Sequence, residues 1–355
     1  MTSEKDYSTV QMSNMGYCFS PFVIDIEANS SLLQDITIII SCSHISNDYK
    51  ERWSVDYKTN FKKDIRYILQ SLFEYEGLNP HMYAGMVENT SKQFRIIVDV
   101  QTSDSLESHD MGTINFIYGA VEPYKRYNSS NIPIHVKQFV EFPFSVNFLL
   151  KEGALLVQTN SLKLVEYKGV NDNLVCIFLD KPKISIGKSY LVYVENDKEI
   201  VVDTDSLYPI IETWDSGKTV YYVTTYGCTD GVYLMWLNRL GGRNYFLFKK
   251  KGETLKVDGE EYNKTLSYKD RLVDNSVQQN KTATRVVTLS VPMADKNEYS
   301  YIEDVLYSPE VYVYDIDKYA FIKVNVQTGD FERTSAELQD FVFKIELPEE
   351  LTIKI

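Results

Sequence analysis

The sequence has few cysteines and no long apolar run, and these two shortages exclude several classes of protein. Apolar runs such as Ile36 to Ile40, which includes Thr37, are far too short to span a bilayer, so membrane insertion is not expected. The cysteines lie too far apart in the chain for a C-x-x-C pair: they are Cys18, Cys42, Cys176 and Cys228. We therefore predict buried free thiols and neither a disulfide framework nor a zinc site.

The N-terminal segment, MTSEKDYSTVQMSNMG, also lacks the apolar core of a secretory signal. We therefore expect a soluble protein that is made and folded in a reducing cytoplasm.

Positive charge is in the minority. Lys and Arg total 37 against 50 Asp and Glu, which gives a formal net charge of −13. Attraction to the phosphate backbone of nucleic acid, or to anionic lipid, needs an excess of Lys and Arg. The composition therefore predicts no sequence-specific binding to nucleic acid.

Aromatic and β-branched residues are abundant and occur in short runs. The sequence has 27 tyrosines and 17 phenylalanines but only 3 tryptophans. Aromatic residues favour strands. Short runs separated by turn residues are typical of sandwiches and barrels. We predict a mainly β fold with antiparallel β-sandwich or barrel modules and a few short helices. The predicted strands are 36–40, 94–100, 114–118, 139–148 (broken by Pro143), 190–194, 220–226, 285–291, a hairpin of 311–314 with 319–326, and a half-buried strand over 341–347.

Two helices are predicted from apolar periodicity and from start signals. The first begins with Asn60 as its N-cap and ends before Gly77. The second lies near Ser300, where Ser300-x-x-Glu303 fits a capping box. A third short turn is predicted from Thr334.

Shifts in composition divide the chain into four predicted parts. These are a flexible N-terminal arm at residues 1–20, a β-rich domain with one helix at 21–128, a β-sandwich-like module at 129–210, and a C-terminal β domain at 211–355. The polar stretch 263–284 is long for a loop inside a compact domain. Such a stretch is typical of a disordered segment or a binding loop.

Motifs for catalysis or metal binding are missing. The sequence contains no nucleophile elbow, phosphate-binding loop, H-E-x-x-H pair or G-x-G-x-x-G run. Asp203 and Asp205 resemble the start of a calcium loop, but Tyr208 and Trp214 stand where that loop needs Gly and Glu. We therefore predict no catalytic, cofactor-binding or metal-binding residues, and a protein that is not an enzyme.

Some isolated polar residues leave a weaker possibility. Glu260-Glu261, or Asp315 with Asp317, would form a glycosidase pair only at a suitable spatial separation, which sequence does not show. His44 and His81 have no partner at metal-binding spacing. We interpret all of these as ordinary loop, surface or core residues.

The most informative stretch runs from Tyr222 to Phe248. Its pattern predicts one strand that ends at Tyr226, a second over 232–237 and a third over 245–248. The glycines that end the run 238–242 allow the positive φ angles that a tight turn needs. The stretch therefore predicts a β-meander with an aromatic core.

Two segments of the C-terminal half resemble a known family. Trp236-Leu-Asn-Arg-Leu-Gly-Gly242, followed by Tyr245-Phe-Leu-Phe248, resembles a W-[IL]-N-x-x-G-G…[YF]-x-F segment. That segment occurs in virion proteins of phages that infect Bacteroidetes, including crAss-like phages and related prophages. Tyr301-Ile-Glu-Asp-Val-Leu-Tyr-Ser-Pro-Glu-Val-Tyr-Val313 resembles the [LI]-x-x-L-x-x-S-P-x-V-x-[LV] segment of the same proteins, with Val305 where Leu is commoner. The resemblance covers about residues 210–355.

This resemblance implies a β-rich component of a phage tail, baseplate or neck ring, and it implies no catalytic residues. We expect a non-enzymatic structural protein of the virion, a subunit of an oligomeric ring around the DNA conduit, assembled in the host bacterial cytoplasm. Its expected partners are copies of itself and other tail or neck proteins. An acidic lumen would repel DNA phosphates and let DNA pass. Residues 1–20 and 263–284 are expected to become ordered on neighbouring subunits.

Two other functions stay open. A carbohydrate-binding or adhesion module would use exposed tyrosines that stack on sugar rings. A β-fold glycoside hydrolase would use two carboxylates. Binding to a glycan array would favour the first of these, and release of sugar the second.

Overall fold

The computed structural model of the chain is mainly β, and the strands of its described residues lie in five sheets. This confirms the predicted fold class. Neither of the helices described below has the length or the apolar composition that a membrane crossing needs. The structure describes residues 1–13, 15–29, 31–43, 46–73, 87–89, 91–119, 134–150, 155–158, 163–166, 173–179, 185–195, 220–239, 241–263, 276–294, 296–327, 338–348 and 350–351.

The chain forms two compact units. Unit 1 comprises residues 1–227 and 238–243, and unit 2 comprises residues 228–237 and 244–355. The predicted boundaries at 128/129 and 210/211 lie outside the described residues.

The first part of unit 1 contains two sheets and a helix. Its elements are β1 (Thr2–Glu4), β2 (Ser8–Gln11), β3 (Met15–Tyr17), β4 (Val23–Ala28), β5 (Leu33–Ser41), β6 (Tyr49–Lys58), β7 (Asn60–Asp64), α1 (Arg66–Leu72), β8 (Val87–Asn89), β9 (Ser91–Thr102) and β10 (Leu106–Ile117). One sheet has the order β1-β2-β4-β7, and the other has the order β3-β10-β9-β5-β6. Alternation of buried and less buried residues along the strands forms the core face of the second sheet. Ile36 and Ile38 of β5 are fully buried opposite Val100 and Val98 of β9.

Residues 1–20 were predicted as a flexible arm, and this is wrong. They hold strands β1 to β3, and both Val10 and Cys18 are fully buried. β1 pairs with β2, β2 with β4, and β3 with β10 in a parallel arrangement. Residues 1–20 have a mostly polar composition because alternate residues of their strands face away from the core. Apolar residues of the segment, such as Val10 and Cys18, point inward and are part of that core.

The first helix is shorter than its periodicity predicts. Residues 60–64 form strand β7, which pairs with β4, and α1 begins only at Arg66. Asp64 marks the change, because its Oδ1 accepts hydrogen bonds from the backbone N–H groups of Phe22 and Arg66. Pairing with β4 therefore overrides the local helical pattern. The predicted stop at Gly77 lies outside the described residues.

The second part of unit 1 adds two more sheets. Its elements are β11 (Ile134–Phe139), β12 (Ser145–Leu150), β13 (Leu155–Gln158), β14 (Lys163–Glu166), β15 (Asn173–Phe178), β16 (Ser189–Glu195) and β17 (Val220–Tyr226). One sheet has the order β11-β17-β16-β13-β14, with β11 parallel to β17, and the other has the order β12-β15-β8. The predicted strand 139–148 is thus two strands in different sheets. The Tyr221 hydroxyl joins these sheets, since it donates to the Asn147 backbone oxygen at 2.8 Å.

Unit 2 is a small barrel. Its elements are β18 (Val232–Leu237), β19 (Arg243–Asn263), β20 (Ser276–Ala294), α2 (Lys296–Ile302), a 3-10 turn (Glu303–Leu306), β21 (Val311–Asp315), β22 (Ala320–Val326), β23 (Gln339–Glu346) and β24 (Glu350–Leu351). The strand order is β19-β18-β21-β22-β23-β20-β24, and β19 also pairs with β20. Six strands, β18 to β23, therefore close into a ring, which removes the free edges of an open sheet.

Unit 2 confirms some predictions and corrects others. The predicted hairpin is β21–β22, and the predicted alternating strand is β23, with Phe341, Phe343 and Ile345 buried. The predicted three-strand meander is wrong, because β17 pairs with β11 and β16 in unit 1 and only β18 and β19 are neighbours. Ser300 is also not an N-cap, since it lies within α2.

The polar stretch 263–284 is likewise partly strand. Residues 276–284 belong to β20 and continue its pairing with β19, while residues 264–275 lie outside the described chain, as does the turn predicted from Thr334. Two strands can pair through backbone hydrogen bonds whatever their side chains are. A strand of polar residues therefore shows no alternation of apolar and polar residues by which the sequence would reveal it.

Trp236 lies in the barrel core. Its side chain is fully buried, and its ring centroid is 6.1 Å from that of Phe248 and 5.9 Å from that of Tyr301. We predict that Trp236→Ala lowers the free energy of unfolding by about 3–5 kcal/mol, measured by urea denaturation followed by circular dichroism. Tyr307→Ala, at a side chain that is 69% exposed, should change it by less than about 0.5 kcal/mol. Equal effects of the two changes would contradict the buried position of Trp236.

Gly242 lies where no side chain fits. A Cβ atom there would lie 2.4 Å from Cγ of Asn147. Asn147 is itself held in place, because its amide donates to the backbone oxygen of Arg243 and accepts from the Arg243 N–H, both at 2.8 Å. We predict that Gly242→Ala destabilises the fold by about 1–3 kcal/mol through this clash.

The matched control is Gly252→Ala, since a Cβ at Gly252 would meet no atom within 4 Å. Thermal unfolding of the two variants, compared with the unchanged chain, measures the difference. A Gly242→Ala variant that melts like Gly252→Ala would show that the tight contact with Asn147 is not required.

Candidate functional site

The two segments that carry the family resemblance meet inside unit 2. β18 pairs with β21 so that Trp236 lies opposite Val311, and the backbone N–H of Leu237 donates to the Glu310 oxygen at 3.1 Å. The Tyr301 hydroxyl, from α2, accepts a hydrogen bond from the backbone N–H of Tyr245 at 3.1 Å. Residues 56 to 75 positions apart in sequence thus form one folding element.

Of the polar residues considered as sites in the sequence, those that the structure describes do not assemble into one. Within the described part of the chain, no group of three or more His, Cys, Asp or Glu could hold a metal ion. Asp315 shapes the β21–β22 turn, because its Oδ1 accepts from the backbone N–H groups of Asp317 and Lys318 at 3.0 and 3.2 Å. Glu260 is exposed on β19. Asp203, Asp205, His44 and His81 lie outside the described residues.

A cluster that the sequence did not reveal lies between β1, β2 and β10. The Ser8 hydroxyl donates to Oε2 of Glu107 at 2.5 Å and lies 2.8 Å from Nε2 of His109. Nδ1 of His109 lies 3.0 Å from the Ser3 hydroxyl oxygen. Each ring nitrogen of His109 thus has a serine hydroxyl as its neighbour. The only sequence signal is the spacing of Glu107 and His109, which puts both on one face of a strand.

These are the residue types of a hydrolytic triad, but the arrangement differs from one. The carboxylate of Glu107 lies on the same side of the imidazole as Ser8, 3.8 Å from Nε2, whereas a triad carboxylate orients the opposite nitrogen. Ser8 and His109 are also fully buried. The cluster acts as a hydrogen-bonded bridge between the two sheets and holds β1 and β2 in place.

His109 should make the stability of unit 1 depend on pH. Burial lowers the pKa of His109, and the nearby Glu107 carboxylate only partly opposes this shift. The unfolded chain, with a His pKa of about 6.5, therefore binds the proton more readily than the folded chain. The stabilising contribution is complete above that value and is lost as pH falls through it.

We predict that the free energy of unfolding decreases between about pH 7.5 and 5.5, and that His109→Gln removes part of this decrease. Urea denaturation of the unchanged chain and of His109→Gln at both pH values measures the free energies of unfolding. His135→Gln is the control, because His135 is exposed on β11. An unchanged pH dependence in His109→Gln would contradict the assignment.

The open end of the barrel forms a pocket of about 530 Å³. Its floor is mainly apolar and its rim is charged, with lining residues Val232, Lys250, Glu253, Arg285, Val287, Val313, Tyr314, Asp315, Lys318, Ile322, Ile345, Leu347 and Pro348. Glu253 is held at the rim by Lys250 and by Arg285, whose Nε lies 2.9 Å from the carboxylate. The hydrogen bond from Lys250 lowers the pKa of Glu253. Lys318 and Asp315 form a second ion pair, at 3.3 Å.

β19 and β20 continue past this mouth as a two-stranded ribbon. Gly231, just before β18, lies against the backbone oxygen of Phe248, so β18 covers β19 only to about that residue. Beyond it, residues 249–263 of β19 pair with β20 alone among the described strands. Residues 252–263 extend roughly 35 Å at about 3.3 Å per residue. The outer edge of this part of β19 therefore presents backbone N–H and C=O groups without a partner strand in the described chain.

Two apolar side chains of the ribbon are exposed. Leu255 and Val257 are 55% and 51% exposed, and they lie opposite Arg285 and Ala283 of β20. They continue the inward-facing side of the barrel, because Glu253 two residues earlier lies opposite the buried Val287. The apolar floor of the mouth thus extends onto one face of the ribbon. We define the ribbon surface as Glu253, Leu255, Val257 and the outer edge of β19 from 249 to 263.

Comparison with protein-family models and with curated proteins gives no significant match to this chain. Among solved structures, the FN1–FN3 domains of chicken CNTN1 align at 9% identity and a TM-score of 0.20, covering 79% of this chain and 91% of that one. A bacterial ice-binding adhesin retained on the host cell surface aligns at 7% identity and a TM-score of 0.18, covering 97% of this chain and 88% of that one. At such TM-scores neither likeness carries an argument about function.

Proposed function

We propose that the protein is a non-enzymatic structural subunit of a tailed-phage virion, part of an oligomeric ring in the tail, neck or baseplate. Its partners in this proposal are copies of itself and other tail or neck proteins. DNA passes through the ring without sequence-specific contacts. The particle is assembled in the cytoplasm of the host bacterium.

The ribbon surface is the observation that carries this proposal. A two-stranded hairpin is marginally stable alone in water, and a long exposed edge with apolar side chains invites pairing with another chain. In a subunit of an assembly such an extension is stabilised, because a neighbouring chain pairs with its exposed edge and covers its apolar side chains. An isolated soluble enzyme normally keeps such an edge short or covers it.

Two further features support a structural role. The segments that resemble phage virion proteins pair with each other around the buried Trp236, as parts of a structural scaffold would. The net charge of −13 suits a subunit beside DNA that must slide past it, because like charges repel.

The proposal predicts that the protein is a stoichiometric component of purified particles and that Leu255→Asp with Val257→Asp prevents its incorporation. Two buried carboxylates without partners would oppose packing at the ribbon surface. Complementation of a phage lacking the gene, followed by quantitative mass spectrometry of particles and electron microscopy, provides the measurement. Ile316→Asp is the matched control, at a side chain 53% exposed in the β21–β22 turn.

Both variants should show the far-ultraviolet circular dichroism of the unchanged chain, because the substituted side chains are exposed. Absence of the protein from particles would overturn the proposal. Specific glycan binding by the purified chain, in that case, would favour an adhesion module, and release of sugar would favour a hydrolase.

A further inference from the structure

The ribbon surface has a charge pattern that is complementary to itself. Its base carries Lys249, Lys250 and Lys251, whereas its distal part carries Asp258 and Glu260, all of them exposed. Between these two ends lie the exposed Leu255 and Val257. The middle also carries Glu253 and Lys256, each paired with a charge of its own chain. The strand is therefore mainly basic at one end and mainly acidic at the other, an order that matches a second copy of itself in the antiparallel direction.

We infer that the free edge of β19 pairs with the same edge of a second copy, antiparallel and around a two-fold axis. Antiparallel strands exchange backbone hydrogen bonds along the whole shared edge. In this arrangement the basic base of each ribbon lies beside the acidic distal part of the other. The same contact is made twice, as in any isologous interface.

The charges also set the register. The basic end is centred on Lys250 and the acidic end on Gly259, and their midpoint falls between Thr254 and Leu255. A two-fold axis passes beside a single residue, which then lies opposite its own copy. We place the axis beside Leu255, the apolar one of these two residues, and this also sets Lys250 opposite Glu260 of the second chain. Directly opposed residues of antiparallel strands have Cα atoms about 4.5–5.5 Å apart, which brings the two leucines into contact.

The existing ion pairs of the ribbon leave its charges accessible. Lys256 pairs with Asp258 at 2.9 Å, and both side chains remain more than 60% exposed, so they still reach a second chain. Lys250 pairs with Glu253, and Lys251 pairs with Asp340 at 3.6 Å; these four side chains are between 34% and 53% exposed. Leu255 and Val257 would bury apolar area that is now exposed, which supplies the hydrophobic contribution.

This inference deepens the proposed self-assembly and rests on it only in part. A two-fold contact joins subunits in pairs and does not by itself close a ring. Ring contacts elsewhere on the subunit, combined with the two-fold contact, would give dihedral symmetry. The pairing is a property of the purified chain, so it can be tested apart from the virion.

A cysteine cross-link tests the register. The purified full-length chain carrying Cys228→Ser, which removes the exposed native thiol, is combined with either Leu255→Cys or Ile316→Cys. Under mild oxidation we expect Leu255→Cys to form a disulfide-linked dimer in most of the material, because opposed strand positions have the separation that a disulfide needs. Ile316→Cys, equally exposed, should give only the background level of dimer. Equal cross-linking of the two would overturn the inference.

Charge reversal tests the complementarity independently. One variant carries Lys249→Glu with Lys251→Glu, and the other carries Asp258→Lys with Glu260→Lys. Each alone should raise the dimer Kd at least about tenfold at low salt, because like charges then face each other. Mixing the two variants should restore dimers, and added salt should reduce the difference.

Sedimentation velocity over a concentration series measures these Kd values. A dimer that tolerates both reversals, or two variants that fail to rescue each other while each remains folded, would overturn the inference. Either result would leave the virion proposal standing, because incorporation into particles is measured separately.

Discussion

Closure of six strands into a ring is the constraint on which unit 2 depends. β18 pairs with β21 and thereby brings together two segments that lie far apart in sequence. The ring is then completed by a long seam between β19 and β20 and by a short one between β22 and β23, which share only the pairs Asn325–Glu346 and Val326–Ile345. β18 has a partner strand on each of its edges, and its residues from Tyr233 to Leu237 are all buried, with Trp236 packed against the rings of Phe248 and Tyr301.

The same two strands that close the ring also extend beyond it. Inside the ring, each edge of β19 has a partner strand, and its side chains on one face fill the barrel. Past the mouth, the outer edge and the apolar face both continue without the strands that covered them. The ribbon surface is thus a direct continuation of the barrel core, and this makes its completion by another chain the simplest physical account of its exposed Leu255 and Val257.

Unit 1 depends on buried polar groups at two points where layers meet. Asn147 satisfies both backbone groups of Arg243 and also accepts from the Cys176 thiol at 3.0 Å. His109 and Glu107 bind two serines of the N-terminal strands. A buried polar group is costly unless it is paired, so each cluster favours one arrangement of the layers over shifted alternatives. We regard them as elements of structural specificity.

The sequence by itself determined the fold class and the strands whose pattern is strong. Runs of β-branched residues predicted β5 and β9. Alternation in β23 predicted that Phe343 lies on the buried face, because a half-buried strand needs an apolar residue at every second position whatever its partners are. The β21–β22 hairpin was likewise predictable, since it is a local structure. The predicted lack of catalytic and metal-binding residues stays a prediction.

Only the tertiary structure decided which strands pair and which polar residues meet. Residues 60–64 have a helical pattern, yet β4 recruits them as a strand, and residues 1–20 look disordered, yet they complete two sheets. Ser8 and His109 lie 101 positions apart, and no local pattern connects them. The β19–β20 ribbon could not be predicted from the sequence for the same reason, because backbone pairing between distant strands does not change the periodicity of their side chains. Long-range pairing is set by the whole chain, whereas propensity and alternation act only between near neighbours in sequence.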